Sequence, residues 1–398
     1  MKQIYSTQNT AKKKCHLLKT NPYNDIYNPT WVEINLDAIA HNVDQVKHAH
    51  PKKTIFAVVK ANGYGHGDLE VAEVALENGA SVLAVSSLEE ALNLRFKGLN
   101  CPIFVMGATE IRHVPLAAKH RITLTAYDEN WIKELITLEL QTSLNVHMKI
   151  DTGMHRLGLM SIQEIITCIH LIKRHPMIEL EGIYTHMATA DDNQEYFKQQ
   201  VATFKTILTS FDTSQIKYIH LANTATLLQH HFNFEHAIRV GIGMYGIDPT
   251  HEASEKEFKL KPALSFYSRL TQVKELKKGT KVGYGITYEC KTDEWIGVIP
   301  VGYADGWIRK HQGRKVLINN HECEIIGRIC MDQMMVRLPA KFDIGTKVTL
   351  IGKNMPVQRV AAEMETIPYE TLCAISDRVP RIYYKNGNLL HCRKMRFT

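Results

Sequence analysis

No stretch of these 398 residues approaches the ~20 consecutive apolar positions that a membrane-spanning helix requires, which excludes a helical membrane protein. The eight cysteines fall singly, at 15, 101, 168, 290, 323, 330, 373 and 392, without a Cys-x-x-Cys pair, and no His-Glu-x-x-His occurs. Reduced thiols and no metal are therefore expected. The amino-terminal stretch has no apolar signal-peptide core before a small-residue cleavage site, which points to the cytoplasm. Internal repeats and low-complexity segments are missing as well. Beyond Lys12-Lys13-Lys14 no run of one charge stands out. The net charge of +7 is interspersed with acids, the pattern of a solvated surface rather than of a nucleic-acid-binding module.

What is present is the composition of a globular protein, 44% hydrophobic and 22% charged, long enough for one large domain and one smaller. Residues 1–29 are polar and end in Pro22, Asn24, Asn28 and Pro29, and read as a poorly ordered extension. From 30 to 260, short apolar runs at 54–59, 81–85, 102–106, 121–125, 144–150, 180–185, 217–221 and 237–240 alternate with longer amphipathic stretches. That is the period of a (β/α)8 barrel, with a doubly wound open sheet as the alternative. Ser87-Leu-Glu-Glu90 is a capping box that opens a helix closed by Gly98, and Gly79 ends the helix before it. From 261 to 398 short strands separated by Gly, Asn and Pro predominate, with one helix near 358–365, so a second, mainly β domain is expected.

The chemistry concentrates where the strands end. In Thr54-Ile-Phe-Ala-Val-Val-Lys60-Ala-Asn-Gly-Tyr64-Gly-His-Gly67 a buried strand stops at a lysine and a glycine-rich turn. Such a lysine either caps the strand and reaches water or, partly desolvated, serves as an amine nucleophile for a carbonyl. At the same mouth the later strands would deliver Lys149, Asp151 and Arg156, then His186, then Asn223 and Thr224, then Arg239 with Gly241 and Ile242. A hydroxyl at Thr224 and the backbone N–H groups of Gly241 and Ile242 make a phosphate cradle. A lysine opposite a phosphate cradle points to pyridoxal phosphate, whose aldehyde needs the amine.

Seven motifs then carry a specific resemblance. Val-Val-Lys60-Ala-Asn-Gly-Tyr64-Gly-His-Gly, Lys149-Ile-Asp-Thr-Gly-Met-His-Arg156-Leu-Gly, Thr185-His186-Met-Ala-Thr-Ala-Asp, Arg239-Val-Gly-Ile-Gly-Met-Tyr-Gly, Val282-Gly-Tyr284-Gly-Ile-Thr-Tyr, Pro300-Val-Gly-Tyr-Ala-Asp-Gly and Gly327-Arg-Ile-Cys-Met331-Asp332-Gln resemble the alanine racemase family, in order from about Trp31 onward. The resemblance implies a pyridoxal-phosphate-dependent racemase interconverting L- and D-alanine, with an N-terminal barrel and a C-terminal β domain. It also implies a homodimer with shared active sites. Lys60 would carry the cofactor and act as one base, with Tyr284 of the other subunit as the second. Tyr64 would meet the phosphate, and His186 and Arg239 would connect Tyr284 to the pyridine nitrogen. Arg156 would steer the substrate carboxylate, and Met331 and Asp332 would line the partner's pocket. Lys149 matches a lysine that is often carbamylated; the alternative is an ordinary lysine beside Asp151.

Two positions depart from the family pattern. His155 stands where glycine is common, and reads as a surface histidine. More consequential is Asp377 in Ser376-Asp377-Arg378-Val379-Pro380, where a tyrosine is usual. Aspartate removes bulk and adds charge, so the pocket is expected to admit serine or basic amino acids besides alanine. Other functions weighed are a barrel-type pyridoxal-phosphate decarboxylase, which would place an acid at the pyridine nitrogen, and a non-catalytic pyridoxal-phosphate carrier, which would not need residues 260–398.

Overall fold

The computed structural model describes residues 26–250 and 258–394. Up to position 25 the extension expected over 1–29, with its lysine run, lies outside the described residues. Strand β1 (Thr30–Asn35) leads into the helix Leu36–Ala49, whose N-cap Asn35 accepts the Ala38 N–H at 3.1 Å, a cap worth about 1 kcal/mol. The next eight strands are β2 (Thr54–Val58), β3 (Ala80–Val85), β4 (Ile103–Val105), β5 (Ile122–Ala126), β6 (Leu144–Lys149), β7 (Ile178–Tyr184), β8 (Tyr218–His220) and β9 (Ala237–Val240). From β2 to β8 each strand pairs in parallel with the next, and β9 returns to β2 with Thr54 opposite Ala237. Across the β8/β9 seam the His236 N–H donates to the Ile219 carbonyl at 2.7 Å and the Arg239 N–H to the Ala222 carbonyl at 3.0 Å. The sheet is therefore a nearly closed barrel, and the open-sheet alternative falls.

The apolar runs act as expected because both faces of each strand are covered. Phe56, Ala57 and Val58 of β2 are at most 5% exposed, alternately filling the barrel and packing under helices. The capping box of Ser87 with Glu90 is present, and a second, not anticipated above, joins Ser161 to Glu164 at the head of the helix Ile162–Arg174. Among the described residues no helix is long and apolar enough to cross a membrane.

The rest of the chain is mainly β, as expected. It supplies β10 (Leu264–Arg269), β11 (Gln272–Leu276), β12 (Lys281–Val282), β13 (Tyr288–Glu289), β14 (Glu294–Ile299), β15 (Lys315–Ile318), β16 (His321–Ile326), β17 (Met334–Leu338), β18 (Lys347–Ile351), β19 (Arg381–Lys385) and β20 (Asn388–Arg393). The boundary at 30 needs correction. Strand β1 belongs to the ten-stranded sheet of the second domain, antiparallel to β10 and parallel to β19, with Val32 between Phe266 and Arg381. An apolar strand pattern states that a segment pairs but not with which sheet. The hairpin β19–β20 and the helix Pro368–Cys373 were not foreseen either, although Asn386-Gly387, both at positive φ, is a two-residue hairpin turn.

Candidate active site

The residue after β2 and Val59 is Lys60, and the chain then makes a turn in which Ala61, Asn62, Gly63 and Tyr64 all lie in the left-handed region, at φ 51, 53, 58 and 52°. For the three non-glycine residues this costs roughly 1–2 kcal/mol each, so the turn must be held from outside. Glu90 accepts the Ala61 N–H at 2.7 Å. Asn62 receives Arg393 at 2.6 Å and donates to Asp377 at 2.9 Å. Tyr64 is 6% exposed and packs on Tyr245 and Tyr369, with ring centroids 4.7 and 5.9 Å away. Burial, and then the Arg156 charge, lower the Lys60 amine below its ordinary pKa, which raises the fraction of nucleophilic free amine.

Opposite the lysine turn stand the loops after β8 and β9. The Thr224 hydroxyl accepts the Gly241 and Gly243 N–H groups at 3.0 and 3.4 Å, which turns its own O–H outward. Gly241 is required by space: a Cβ there would sit 2.9 Å from the Tyr64 hydroxyl and 3.7 Å from that of Thr224. The two hydroxyls thus flank a bare piece of backbone continuing into Ile242, the concavity that a phosphate fills. Asn223 caps the helix Thr224–Gln229 by accepting from Thr226, and donates to the Met187 carbonyl at 3.3 Å; its side chain holds Thr224 in place.

Arg239 closes the floor. It is 2% exposed, and its guanidinium donates to the Thr185, Leu221 and His220 carbonyls and to His220 Nδ1 at 2.8 Å, while His186 Nδ1 lies 3.4 Å away. Burial brings its pKa down to about 10, so at neutral pH it stays charged. Burial first, and Arg239 second, press the His186 imidazole well below its ordinary value, so it is neutral. Lys149, last of β6, is 6% exposed with its amine 4.8 Å above the Tyr184 ring, and burial and Arg239 lower it strongly. Asp151 builds the following loop by accepting the N–H groups of Gly153 and His155 at 3.0 Å, and Arg156 stands exposed beyond it. His155 has φ 54°, the reason glycine suits that position.

The barrel residues named from the sequence therefore meet at one mouth. Tyr284, Met331 and Asp332 lie on the second domain. Tyr284 occupies the turn between β12 and β13, is 72% exposed, and among the described residues makes no hydrogen bond or ring contact. Ile286, Tyr303 and Met331 are likewise exposed. Asp332 accepts from Arg378 at 2.7 Å. Asp377 accepts from Asn62 and stands 3.8 Å from Arg381. Sequence reading named Glu90 only as part of a capping box, quoted Tyr245 only inside a motif, and missed His220.

A lysine of lowered pKa facing a hydroxyl-and-glycine cradle at the end of a parallel barrel defines a pyridoxal-phosphate enzyme, and the donor set fits that group. Residues 34–249 match the family model "Alanine racemase, N-terminal domain" and 263–383 match "Alanine racemase, C-terminal domain". The chain belongs to the alanine racemase family, whose members are pyridoxal-phosphate-dependent isomerases. It is 49% identical to an alanine racemase of Anoxybacillus flavithermus over 92% of this chain and 98% of that one. The structure of alanine racemase from Bacillus anthracis with bound L-Ala-P superposes with a TM-score of 0.89 at 40% identity, over 92% and 98% of the two chains. A histidine racemase from Leuconostoc mesenteroides gives a TM-score of 0.83 at 30% identity, over 91% and 100%.

Proposed function

We propose that the protein interconverts L- and D-alanine by a two-base mechanism in which Lys60 of one subunit and Tyr284 of a second copy face each other across the bound cofactor. The observation that carries this reading is a division within one chain. The amine, the cradle and Arg239 converge at the barrel mouth, while Tyr284 stands exposed on the other domain, which also exposes Ile286, Tyr303 and Met331. Exposed large apolar side chains and a phenol on one domain suit an interface, and a homodimer would bring each Tyr284 to the partner's mouth.

Pyridoxal phosphate, when bound, withdraws electrons from the substrate's α-carbon and so makes its proton removable. The Tyr64 and Thr224 hydroxyls and the backbone of Gly241 and Ile242 would hold the phosphate. Arg239 would stand at the ring nitrogen; charged at neutral pH, it would give no proton there, which leaves a weaker electron sink and favours rapid reprotonation over transamination. Arg156 would take the substrate carboxylate, with Met331 and Asp332 of the second copy closing the pocket. His186, neutral and beside Arg239, would accept or donate for the phenol of Tyr284. Lys149 has a buried amine whose pKa burial and Arg239 lower, which favours the free base that adds carbon dioxide with loss of one proton, and the resulting carbamate would offset Arg156; incorporation of 13C-bicarbonate read by NMR tests this.

The substrate range is proposed to extend to serine and basic amino acids, because Asp377 puts a small acid, tethered to Asn62, where the family carries a tyrosine. The histidine racemase of the same fold supports such an extension. Initial rates on alanine, serine, lysine, arginine and histidine test both statements. Turnover of alanine with equal yield from either enantiomer is expected; an alanine rate more than about 100-fold above all others would remove the extension but leave the racemase.

A further inference from the structure

Beneath Arg239 the barrel axis holds a line of polar groups that the mechanism above does not use. Arg239 donates to His220 Nδ1 at 2.8 Å; His220 Nε2 is 2.9 Å from His147 Nδ1; His147 Nε2 is 3.4 Å from Glu181 Oε2; and Glu181 Oε1 is 3.0 Å from the Lys217 amine. His220 and His147 are 0 and 1% exposed and Glu181 is 8%, while the Lys217 side chain is more than half exposed. The imidazoles are set among Phe56, Phe104 and Tyr184, with His220 stacked on Tyr184 at 4.8 Å. A slot is reserved for His147: any Cβ at Gly182 would stand 2.7 Å from its ring.

The direction of this line follows from its two ends. A guanidinium only donates, so His220 Nδ1 must accept, and its proton sits on Nε2. That proton is given to His147 Nδ1, which places the His147 proton on Nε2. There it meets a carboxylate, which when ionised only accepts. If either ring took the other tautomer, a donor would face the Arg239 guanidinium or a lone pair would face Glu181, each a buried mismatch. Burial alone raises the Glu181 carboxyl, but the hydrogen bond from His147 and the Lys217 ammonium bring it down to about 2, so it is ionised. Burial and then Arg239 keep His220 neutral.

We infer that Glu181 is the fixed end of a one-directional hydrogen-bond chain, through His147 and His220, that holds Arg239 in the orientation it presents to the cofactor. His147 and Glu181 are then positioning residues for the reaction, contributed by the far end of the barrel. The inference rests on the reading that Arg239 stands at the cofactor ring.

Two substitutions separate polarity from packing. Glutamine can accept from His220 and donate to Glu181, so His147→Gln preserves the direction although it fills the slot less well. Phenylalanine fills the slot and severs the line, leaving His220 free to turn its proton towards Arg239. In the holoenzyme, His147→Phe should lower kcat about tenfold with KM within twofold and should shift the cofactor absorption maximum, whereas His147→Gln stays within threefold of wild type at the wild-type maximum. Neutron diffraction from wild-type holoenzyme crystals should place deuterium on Nε2 of both imidazoles. Equal kcat in the two variants with unmoved spectra, or deuterium on His220 Nδ1, overturns the inference. The neutron result does not depend on turnover, so it stands apart from failure of the racemase reading, which a wild-type enzyme inert towards alanine would reveal.

Discussion

The barrel mouth and the Tyr284 turn are built on opposite principles. At the mouth the lysine turn and Arg239 are over-determined: the left-handed turn after Lys60 is held by Glu90, Arg393 and Asp377, and Arg239 has five acceptors. At Tyr284 the phenol stands in solvent with glycine on either side, at φ 78 and 69°. On the proposed two-base reading Tyr284 would serve a second copy, and a group that reaches its site across an interface is not fixed by its own chain. One subunit would then specify cofactor binding and half of the proton transfer.

The largest test of that contrast is Lys60→Ala. Turnover should fall on the order of 10⁴-fold or more, and the lysine-linked cofactor absorbance should vanish. Tyr284→Phe should keep that absorbance yet lose about 10²–10⁴-fold in turnover, with solvent-deuterium exchange surviving from one enantiomer only. Mixing the two inactive variants and allowing subunits to re-assort should restore about one quarter of the wild-type rate, because each mixed dimer regains one intact site. No recovery on mixing would break the comparison outright. A pH experiment probes one buried histidine on each side. Burial holds His66, under the lysine turn, and His311, in the second domain, at about 4. Unfolded, each binds a proton below about 6.5 that the folded protein refuses, so stability should fall as the pH drops from 6.5 to 4, by up to about 3 kcal/mol for each. Thermal melts of His311→Phe, which keeps the stacking on Trp307, should show a shallower slope than wild type. Gly241→Ala crowds the Tyr64 hydroxyl and should weaken cofactor binding about 10-fold, read by equilibrium dialysis, with the melting temperature unchanged. Least of all, Ser161→Ala removes a capping box remote from the chemistry. It should cost about 1 kcal/mol in denaturant melts and leave kinetics alone.

The barrel was legible because its strands are buried on both faces and read as unbroken apolar runs, and its site because strand ends place Lys60, Lys149, His186, Arg239 and Gly241 side by side. Three things escaped. The sheet that β1 joins depends on Leu264 and Tyr383, more than two hundred residues away, which no local pattern encodes. The hairpin β19–β20 carried its Asn-Gly signal between two short apolar runs, Ile382-Tyr383-Tyr384 and Leu389-Leu390, flanked by basic residues. His147, Glu181 and His220 sit on three separate strands, at positions that look like ordinary barrel filling, and only their side-chain distances reveal a line.

Strand β1 has one more implication, for anyone wishing to take the molecule apart. The first described strand lies in the β domain, the chain then completes the whole barrel, and it returns to build β10 onward, so the barrel is an insertion between β1 and β10 of its neighbour. Cutting near 260 would strand β1 with both edges bare and rob the sheet of a central member. A dissection that respects the topology would lift out residues 36–250 and splice β1 to β10 with a short linker.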